Sequence, residues 1–286
     1  MTTYRAIDVG GTELFYREAG DPSTPTLLLL HGFPSSSAQY QRLMERLEDR
    51  CHMIAPDYPG FGQSPPLEGA TTFDRIADAI DAFSEAKGLE RFSLYLFDFG
   101  APVGFRIATR HPERVEGLVL QNGNAYEAGL GPGMQALKPY WHDRAGNETA
   151  IRGLLQLGVT RSQYVDGVPD PTMINPDLWE LDQRYLELPG RDQVMLDLLY
   201  DYQSNVVLYP RWHEYLRANR PPALLAWGEN DGFFPPEGAR AYLQDLPEAE
   251  LHFLDTGHFA TATHSDEIAD LIAGFLETRV VVRQFA

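Results

Sequence analysis

The first residue that could do chemistry is Asp98. It ends an apolar run in YLFDFGAPVGF, and a glycine two places later opens a helical pattern. Because a carboxylate is ionised at neutral pH, it could act here as a nucleophile without being activated by a base. The alternative is a helix N-cap, whose side chain only accepts backbone hydrogen bonds. Both roles place Asp98 at a turn between a strand and a helix.

Two more residues of this kind follow apolar runs later in the chain. Asp231 stands in GEND after PPALLAW, and His258 stands in TGHF after AELHFLD. In open α/β sheets, ligands and reacting groups gather at the carboxyl ends of the strands. We therefore expect Asp98, Asp231 and His258 to converge there. Glu229 and His264 are the neighbouring alternatives for the second acid and the histidine.

Strands and helices alternate around these residues. Apolar runs such as TLLLL, HMIAP and FSLYLF are separated by helical patterns, among them FDRIADAIDAFSEAKG, which Gly88 closes. A hairpin around Gly10 and Gly11 precedes them. The alternation predicts the α/β fold class, with a mostly parallel sheet that carries helices on both faces.

This alternation stops after Asn124. From about residue 125 to 216 the sequence has helical segments, frequent aromatic residues and no convincing strand, after which the strand pattern resumes. We therefore predict a core made of residues 1–124 and 217–286, interrupted by a helical cap, 125–216. Such a cap over the carboxyl edge of a sheet would enclose a pocket.

Composition limits the function classes. The 286 residues carry 41 acidic and 23 basic side chains, a formal net charge of −18, which argues against nucleic-acid and anionic-membrane partners. With one cysteine, Cys51, no internal disulfide can form, and no signal peptide or membrane-length apolar run is apparent. We expect a cytoplasmic protein. No metal-ligand spacing or phosphate-binding loop occurs, so we expect no metal and no cofactor.

Two further motifs carry a family resemblance. HGFP (31–34) resembles the oxyanion-hole loop of α/β-hydrolases, and DYPGFGQS (57–64) resembles their D-x-x-G-x-G-x-S signature. The order nucleophile, acid, histidine is also theirs. An aspartate at the nucleophile position is similar to the epoxide hydrolase and haloalkane dehalogenase branch, which also implies a cis bond before Pro34. Leu96 departs from the pattern, since a small residue usually stands two places before the nucleophile.

The resemblance implies a two-step hydrolysis. Asp98 would attack an sp3 carbon and form an alkyl ester, and His258 would then activate the water that hydrolyses it. Asp231 would hold the imidazole and stabilise its cation. The backbone N–H groups of Phe33 and Phe99 are the expected oxyanion-hole donors.

Epoxide hydrolases and haloalkane dehalogenases differ in the residues that bind the leaving group. Haloalkane dehalogenases typically have a tryptophan directly after the nucleophile, and Phe99 stands there instead. Epoxide hydrolases use two cap tyrosines to bind the ring oxygen, for which Tyr202 and Tyr140 are the candidates. The resemblance therefore favours an epoxide hydrolase that gives a diol. Trp141 and His142 could instead donate to a halide, so a haloalkane dehalogenase is the alternative.

A third interpretation is a ligand binder that has this fold but no such catalysis. The aromatic side chains of Phe33, Phe97 and Phe99 would surround Asp98 with an apolar pocket in either case. A small hydrophobic molecule is therefore the expected substrate or ligand.

Overall fold

Eight β-strands within residues 1–280, the part of the chain that the computed structural model describes, form one sheet. The strands are β1 (Thr3–Val9), β2 (Thr12–Ala19), β3 (Thr26–Leu30), β4 (His52–Pro56), β5 (Phe92–Phe97), β6 (Val115–Gln121), β7 (Ala223–Gly228) and β8 (Glu250–Leu254). Their order is β1-β2-β4-β3-β5-β6-β7-β8, and all neighbours from β4 to β8 are parallel. This confirms the predicted α/β fold class.

β1 and β2 form the predicted hairpin. Val9 pairs with Thr12 across the turn, and Gly10 and Gly11 adopt φ angles of 61° and 89°. A glycine reaches such angles without strain because it has no Cβ. The hairpin joins the sheet through β2, which runs antiparallel to β4.

Helices cover both faces of the sheet. The α-helices of the described residues are α1 (Gln41–Leu47), α2 (Phe73–Ala86), α3 (Gly100–Arg110), α4 (Pro132–Gln135), α5 (Lys138–His142), α6 (Arg144–Arg152), α7 (Leu157–Val165), α8 (Asp177–Leu186), α9 (Arg191–Asn219), α10 (Pro236–Tyr242) and α11 (Thr261–Phe275). Alternate residues of β3 enter different cores: Leu28 and Leu30 join α2, α3, α9 and α10, whereas Leu27 and Leu29 join α1 and α11. Burial on both faces explains why this strand is a continuous apolar run.

The segment between β6 and β7 is a helical insertion. It contains α4 to α9 and, within the described residues, no strand. The domain boundaries remain a prediction, and the predicted end at residue 216 falls inside α9, which continues to Asn219. Of the predicted second core segment, residues 281–286 lie outside the described part. None of the helices within residues 1–280 is long and apolar enough to cross a membrane.

α9 is the longest helix of this cap and is tied directly to the core. Asp201 accepts a hydrogen bond from the Phe73 N–H at the start of α2, at 2.8 Å. The buried guanidinium of Arg106 on α3 donates to the Asn205 side chain at 2.6 Å. These contacts hold α9 over the carboxyl edge of the sheet, above the turn that contains Asp98.

Candidate active site

Asp98 lies on a sharp turn between β5 and α3. Its φ angle is +48°, a left-handed conformation that is uncommon for residues other than glycine. The turn also brings α3 against β3, since a Cβ at Gly100 would lie 2.1 Å from the Leu30 carbonyl oxygen. The strand and the start of the helix therefore fix the direction of the Asp98 carboxylate.

Leu96 is accommodated by α3 rather than by the turn itself. A Cβ on Gly104, one helical turn into α3, would lie 2.2 Å from a methyl group of Leu96. The missing side chain at Gly104 therefore makes the room that a small residue at position 96 would otherwise provide. The departure from the family pattern leaves the turn intact.

Backbone N–H groups hold the Asp98 carboxylate. Oδ1 accepts a hydrogen bond from the Phe33 N–H at 2.6 Å, and the Phe99 N–H also donates to the carboxylate. The close approach requires glycine before Phe33, because a Cβ at Gly32 would lie 2.3 Å from Oδ1. The predicted pair of donors is thus assembled around Asp98, and the Phe33–Pro34 bond is cis.

His31 shapes the loop that supplies the Phe33 donor. Its Nε2 accepts from the Tyr58 N–H at 3.1 Å, and its Nδ1 lies 3.2 Å from the Gly32 carbonyl oxygen. The ring is fully buried and stacks on Tyr58 at 4.0 Å. Burial lowers the pKa of His31 to about 3, so the imidazole is neutral and acts as a structural bridge.

His258 faces the other oxygen of Asp98. Its Nε2 lies 3.7 Å from Asp98 Oδ2, and its Nδ1 lies 2.7 Å from Asp231 Oδ2. The short contact with a carboxylate places the imidazole proton on Nδ1, which leaves Nε2 available to accept a proton near Asp98. The structure brings the three predicted residues together. Glu229 is exposed, and His264 is bonded to Thr263 instead.

Burial and neighbouring charges shift the pKa values of His258 and Asp98. Burial lowers the pKa of His258, but the attraction of the Asp231 and Asp98 carboxylates outweighs it and leaves the pKa raised. Burial raises the pKa of Asp98, against the opposing effects of His258 and the Phe33 N–H. The protonation of Asp98 therefore depends on the charge of His258, and that of His258 depends on the charge of Asp98.

Two amide side chains that sequence reasoning passed over support this arrangement. Asn122 donates to Asp231 Oδ2 at 2.8 Å, and Gln121 donates to the His258 carbonyl oxygen at 2.8 Å. The Phe233 N–H donates to the second oxygen of Asp231 at 2.7 Å. The sequence feature that could have indicated these two residues is the position of QNGN at the end of β6, beside the strand that leads to Asp231.

The cap places Tyr202 beside these residues. The Tyr202 ring lies 6.1 Å from that of Phe99 and 5.9 Å from that of Phe73. Its hydroxyl shares a hydrogen bond with Tyr209, which in turn accepts from Asn124 at 3.2 Å. Burial, Tyr209 and the Asp98 charge all raise the pKa of Tyr202, so its hydroxyl keeps its proton.

The other cap candidates are engaged elsewhere. The Tyr140 hydroxyl donates to the Leu196 carbonyl oxygen at 3.2 Å, and the Trp141 indole N–H donates to the Leu199 carbonyl oxygen at 2.9 Å. His142 is exposed. Trp141 reaches the site through its ring face, which stacks on Tyr202 at 6.2 Å. Neither Tyr140 nor Trp141 directs a polar hydrogen toward Asp98 in this arrangement.

Among residues 1–280, no cluster of three His, Cys, Asp or Glu side chains could hold a metal.

Comparison with known proteins identifies the family. The family model described as alpha/beta hydrolase fold matches residues 25–265. The chain is 40% identical over 278 residues to the Uncharacterized hydrolase YNR064C of Saccharomyces cerevisiae, covering 93% of this chain and 94% of that protein. It is 26% identical over 321 residues to a haloalkane dehalogenase of Bradyrhizobium diazoefficiens, covering 98% and 96% of the two chains.

Solved structures resemble the fold as well. The crystal structure of a putative ancestral haloalkane dehalogenase, AncHLD2, superposes with a TM-score of 0.80 at 22% identity, covering 99% of this chain and 100% of that one. The family match spans most of the sequence and includes the turn of Asp98 and the loops of Asp231 and His258. The chain belongs to the α/β-hydrolase fold family.

Proposed function

We propose that this hydrolase attacks an electrophilic sp3 carbon with Oδ2 of Asp98 and forms an alkyl-enzyme ester. The observation that carries the proposal is the unequal surroundings of the two carboxylate oxygens. Oδ1 accepts the Phe33 N–H, whereas Oδ2 faces His258. An attack through Oδ2 would leave Oδ1 as the ester carbonyl oxygen, already bonded to the Phe33 N–H. The Phe33 and Phe99 N–H groups would then stabilise the oxyanion of the second step.

Ester hydrolysis would use the His258 side of the carboxylate. A water beside Nε2 would lose a proton to His258 and add to Cγ of Asp98, and Asp231 would stabilise the imidazolium. Collapse of the tetrahedral intermediate would expel the alkoxide, which recovers the proton from His258. The product is an alcohol, and Asp98 regains its carboxylate when the second proton of the water, left on its carboxyl group, is released to solvent. The aromatic rings of Phe33, Phe99 and Phe73 favour a small hydrophobic substrate.

The donors around the site favour an epoxide. Opening an epoxide breaks a ring C–O bond, and the oxygen that leaves needs a hydrogen bond and a proton. The Tyr202 hydroxyl is buried next to Phe99 and retains its proton, and it would turn from the Tyr209 hydroxyl to the ring oxygen when an epoxide binds. In contrast, Phe99 has no indole N–H, and that of Trp141 is bonded to Leu199. We therefore propose an epoxide hydrolase in which Tyr202 donates to the ring oxygen and the product is a vicinal diol.

Dehalogenation is the second candidate, and the relatives favour it. The protein of Bradyrhizobium diazoefficiens that matches nearly the whole chain is named a haloalkane dehalogenase. The first step at Asp98 would be the same, with halide leaving in place of the ring oxygen. Such a reaction would require a halide donor, which the Trp141 indole could supply only after breaking its bond to Leu199.

Intact mass of a His258→Gln variant distinguishes these functions. Without the base, the ester should form and persist when the protein is incubated with a panel of epoxides and alkyl halides. A gain equal to the whole reagent identifies epoxide opening, and a gain equal to the reagent minus HX identifies dehalogenation. A matched His258→Gln, Asp98→Asn double variant should gain no mass. If the single variant gains none and the natural enzyme hydrolyses no member of the panel, the proposal is wrong and a ligand binder is favoured.

A further inference from the structure

The Tyr202 hydroxyl is bonded to a second tyrosine of the same helix. Tyr202 and Tyr209 both stand on α9, about two helical turns apart, so their side chains share one face of the helix. Their hydroxyls share a hydrogen bond, and both side chains are buried. The Tyr209 ring packs against that of Trp212, whose centroid lies 5.3 Å away. Any change in the direction of the Tyr202 hydroxyl therefore acts on Tyr209.

A core side chain fixes the role of the Tyr209 oxygen. The amide nitrogen of Asn124 lies 2.8 Å from the Tyr126 carbonyl oxygen, and its amide oxygen lies 3.2 Å from the Tyr126 nitrogen. Because a carbonyl oxygen only accepts and an N–H only donates, these two contacts decide which end of the Asn124 amide carries the hydrogens. The same nitrogen donates to the Tyr209 oxygen at 3.2 Å. Tyr209 is thus an acceptor toward the core, and its own hydrogen is available to Tyr202.

The two tyrosine hydroxyls must exchange roles when a ring oxygen binds. Tyr202 turns its hydrogen toward the ring oxygen, and its bond to Tyr209 then survives only if Tyr209 becomes the donor. Because both side chains are buried, a hydroxyl hydrogen left without an acceptor there would lower stability. The hydrogen that Tyr202 accepts also stabilises negative charge on the Tyr202 oxygen, which makes its hydroxyl a stronger acid.

We propose that Tyr209, held by Asn124, is a positioning residue that directs the Tyr202 hydrogen to the ring oxygen and stabilises the Tyr202 oxygen as the ring opens. The inference rests on the proposed function, since of the two substrate classes only an epoxide has a leaving oxygen. A departing halide takes no proton from Tyr202 and would make no use of Tyr209.

The step that Tyr209 assists is balanced in charge and atoms. As Oδ2 of Asp98 forms its bond to carbon, the ring C–O bond breaks, and the electron pair left on the ring oxygen takes the proton of Tyr202. The Tyr202 phenolate accepts the hydrogen bond from Tyr209. It later regains a proton from solvent, which balances the one that the Asp98 carboxyl group releases at the end of turnover.

Single-turnover rates of ester formation test the role of Tyr209. His258→Gln protein is mixed with 1,2-epoxyhexane or styrene oxide, and its gain in mass is followed with time for Tyr209→Phe, Tyr202→Phe and the two substitutions combined. We expect Tyr209→Phe to slow ester formation about tenfold, as is typical for the loss of one hydrogen bond to a developing charge. In protein that already carries Tyr202→Phe, it should have no further effect, because Tyr209 reaches the ring oxygen only through the Tyr202 hydroxyl.

Tyr126→Phe is the matched control. It also removes a buried hydroxyl, one that donates to Asp245 at 2.6 Å, and its ring stacks on His213 of α9 at 4.1 Å. We expect this substitution to leave the rate of ester formation unchanged. A merely structural role of Tyr209 would instead slow both variants alike, and thermal unfolding verifies that every variant is folded.

The outcomes distinguish failure of this inference from failure of the proposed function. If Tyr202→Phe is slow but Tyr209→Phe is as fast as the parent or faster, the positioning role is wrong and epoxide opening stands. Slowing that adds to that of Tyr202→Phe, or that Tyr126→Phe reproduces, would refute the role as well. If neither epoxide forms an adduct when both tyrosines are present, epoxide opening itself is wrong, and the role of Tyr209 is refuted with it.

Discussion

The core and the cap contribute to the candidate active site in different ways. On the core side, Asp98 and Asp231 are held by backbone N–H groups at strand ends, at 2.6 Å from Phe33 and 2.7 Å from Phe233. On the cap side, the available groups are side chains on helices. Two of these, Tyr140 and Trp141 on the short helix α5, donate their polar hydrogens to carbonyl oxygens of α9.

This difference separates two parts of the proposed reaction. Ester formation and hydrolysis depend on groups that the sheet places, so they tolerate changes in the cap. Activation of the leaving group depends on which cap side chain can direct a polar hydrogen toward Asp98. Under the proposed reaction, we therefore expect the cap to decide between halide and epoxide.

The largest expected effect is that of Asp98→Asn. The amide is nearly isosteric and can still accept the Phe33 N–H, but it is a poor nucleophile. We expect kcat/KM to fall by at least about 10⁴-fold for every substrate, as is typical when a covalent nucleophile is removed. Removing a buried charge should leave the melting temperature equal or higher. Full activity in this variant, verified by mass to be free of deamidation, would refute the nucleophile assignment.

Asp231→Asn should affect only the second step. An amide cannot stabilise the imidazolium of His258 as a carboxylate does, so ester hydrolysis should slow by about 10² to 10⁴-fold. Ester formation at Asp98 should continue at nearly its usual rate. Rapid-quench mass spectrometry should then detect the adduct during turnover. A parallel loss of both steps, with no adduct, would place Asp231 in a structural role instead.

The positions of the core groups follow from the sequence for a physical reason. Parallel strands end at one edge of the sheet, so the polar residues after β5, β7 and β8 had to meet there. Asn122 also stands at that edge, but its hydrogen bond to Asp231 depends on a left-handed backbone at φ +48°, which residue types alone do not specify. The catalytic roles of Asp98, Asp231 and His258 stay predictions until they are tested.

The cap could be predicted only as a class of structure. Helical spacing and aromatic content indicated a helical insertion, but they did not indicate which hydroxyls would be free. The resemblance offered Tyr202 as the better match and Tyr140 as the second candidate. In the folded chain, the hydroxyl of Tyr140 is bonded to the backbone of α9, while that of Tyr202 pairs with Tyr209. Such choices depend on rotamers and helix packing, which a single sequence does not define.

Tyr202→Phe and Tyr140→Phe compare the two cap tyrosines directly. With an epoxide, Tyr202→Phe should slow ester formation by about 10 to 10²-fold because the ring oxygen loses a donor. Tyr140→Phe should leave this rate unchanged, since its hydroxyl serves the Leu196 carbonyl. With an alkyl halide, Tyr202→Phe should have little effect. The rates come from single-turnover measurements. Equal effects of the two substitutions on epoxide opening would contradict the assignment of Tyr202.

The smallest expected effect is a difference between the pH profiles of the two steps. Ester formation requires ionised Asp98, whose pKa is raised by burial, so its rate should fall as the pH drops through a midpoint above the ordinary value of 3.8. Ester hydrolysis requires neutral His258 and should rise with pH. In the free enzyme, the pKa of His258 lies above its ordinary 6.5, because the Asp231 and Asp98 charges outweigh the lowering by burial.

Alkylation removes one of those two charges. The pKa of His258 should therefore be lower in the ester than in the free enzyme, and hydrolysis should reach half its maximum at a lower pH than the imidazole titration of the free enzyme, followed by NMR. The two buried groups titrate together, so each midpoint belongs to the pair rather than to one residue. A hydrolysis midpoint equal to or above that of the free enzyme would mean that the Asp98 charge does not act on His258. The 3.7 Å contact between the two side chains would then have no electrostatic role in turnover.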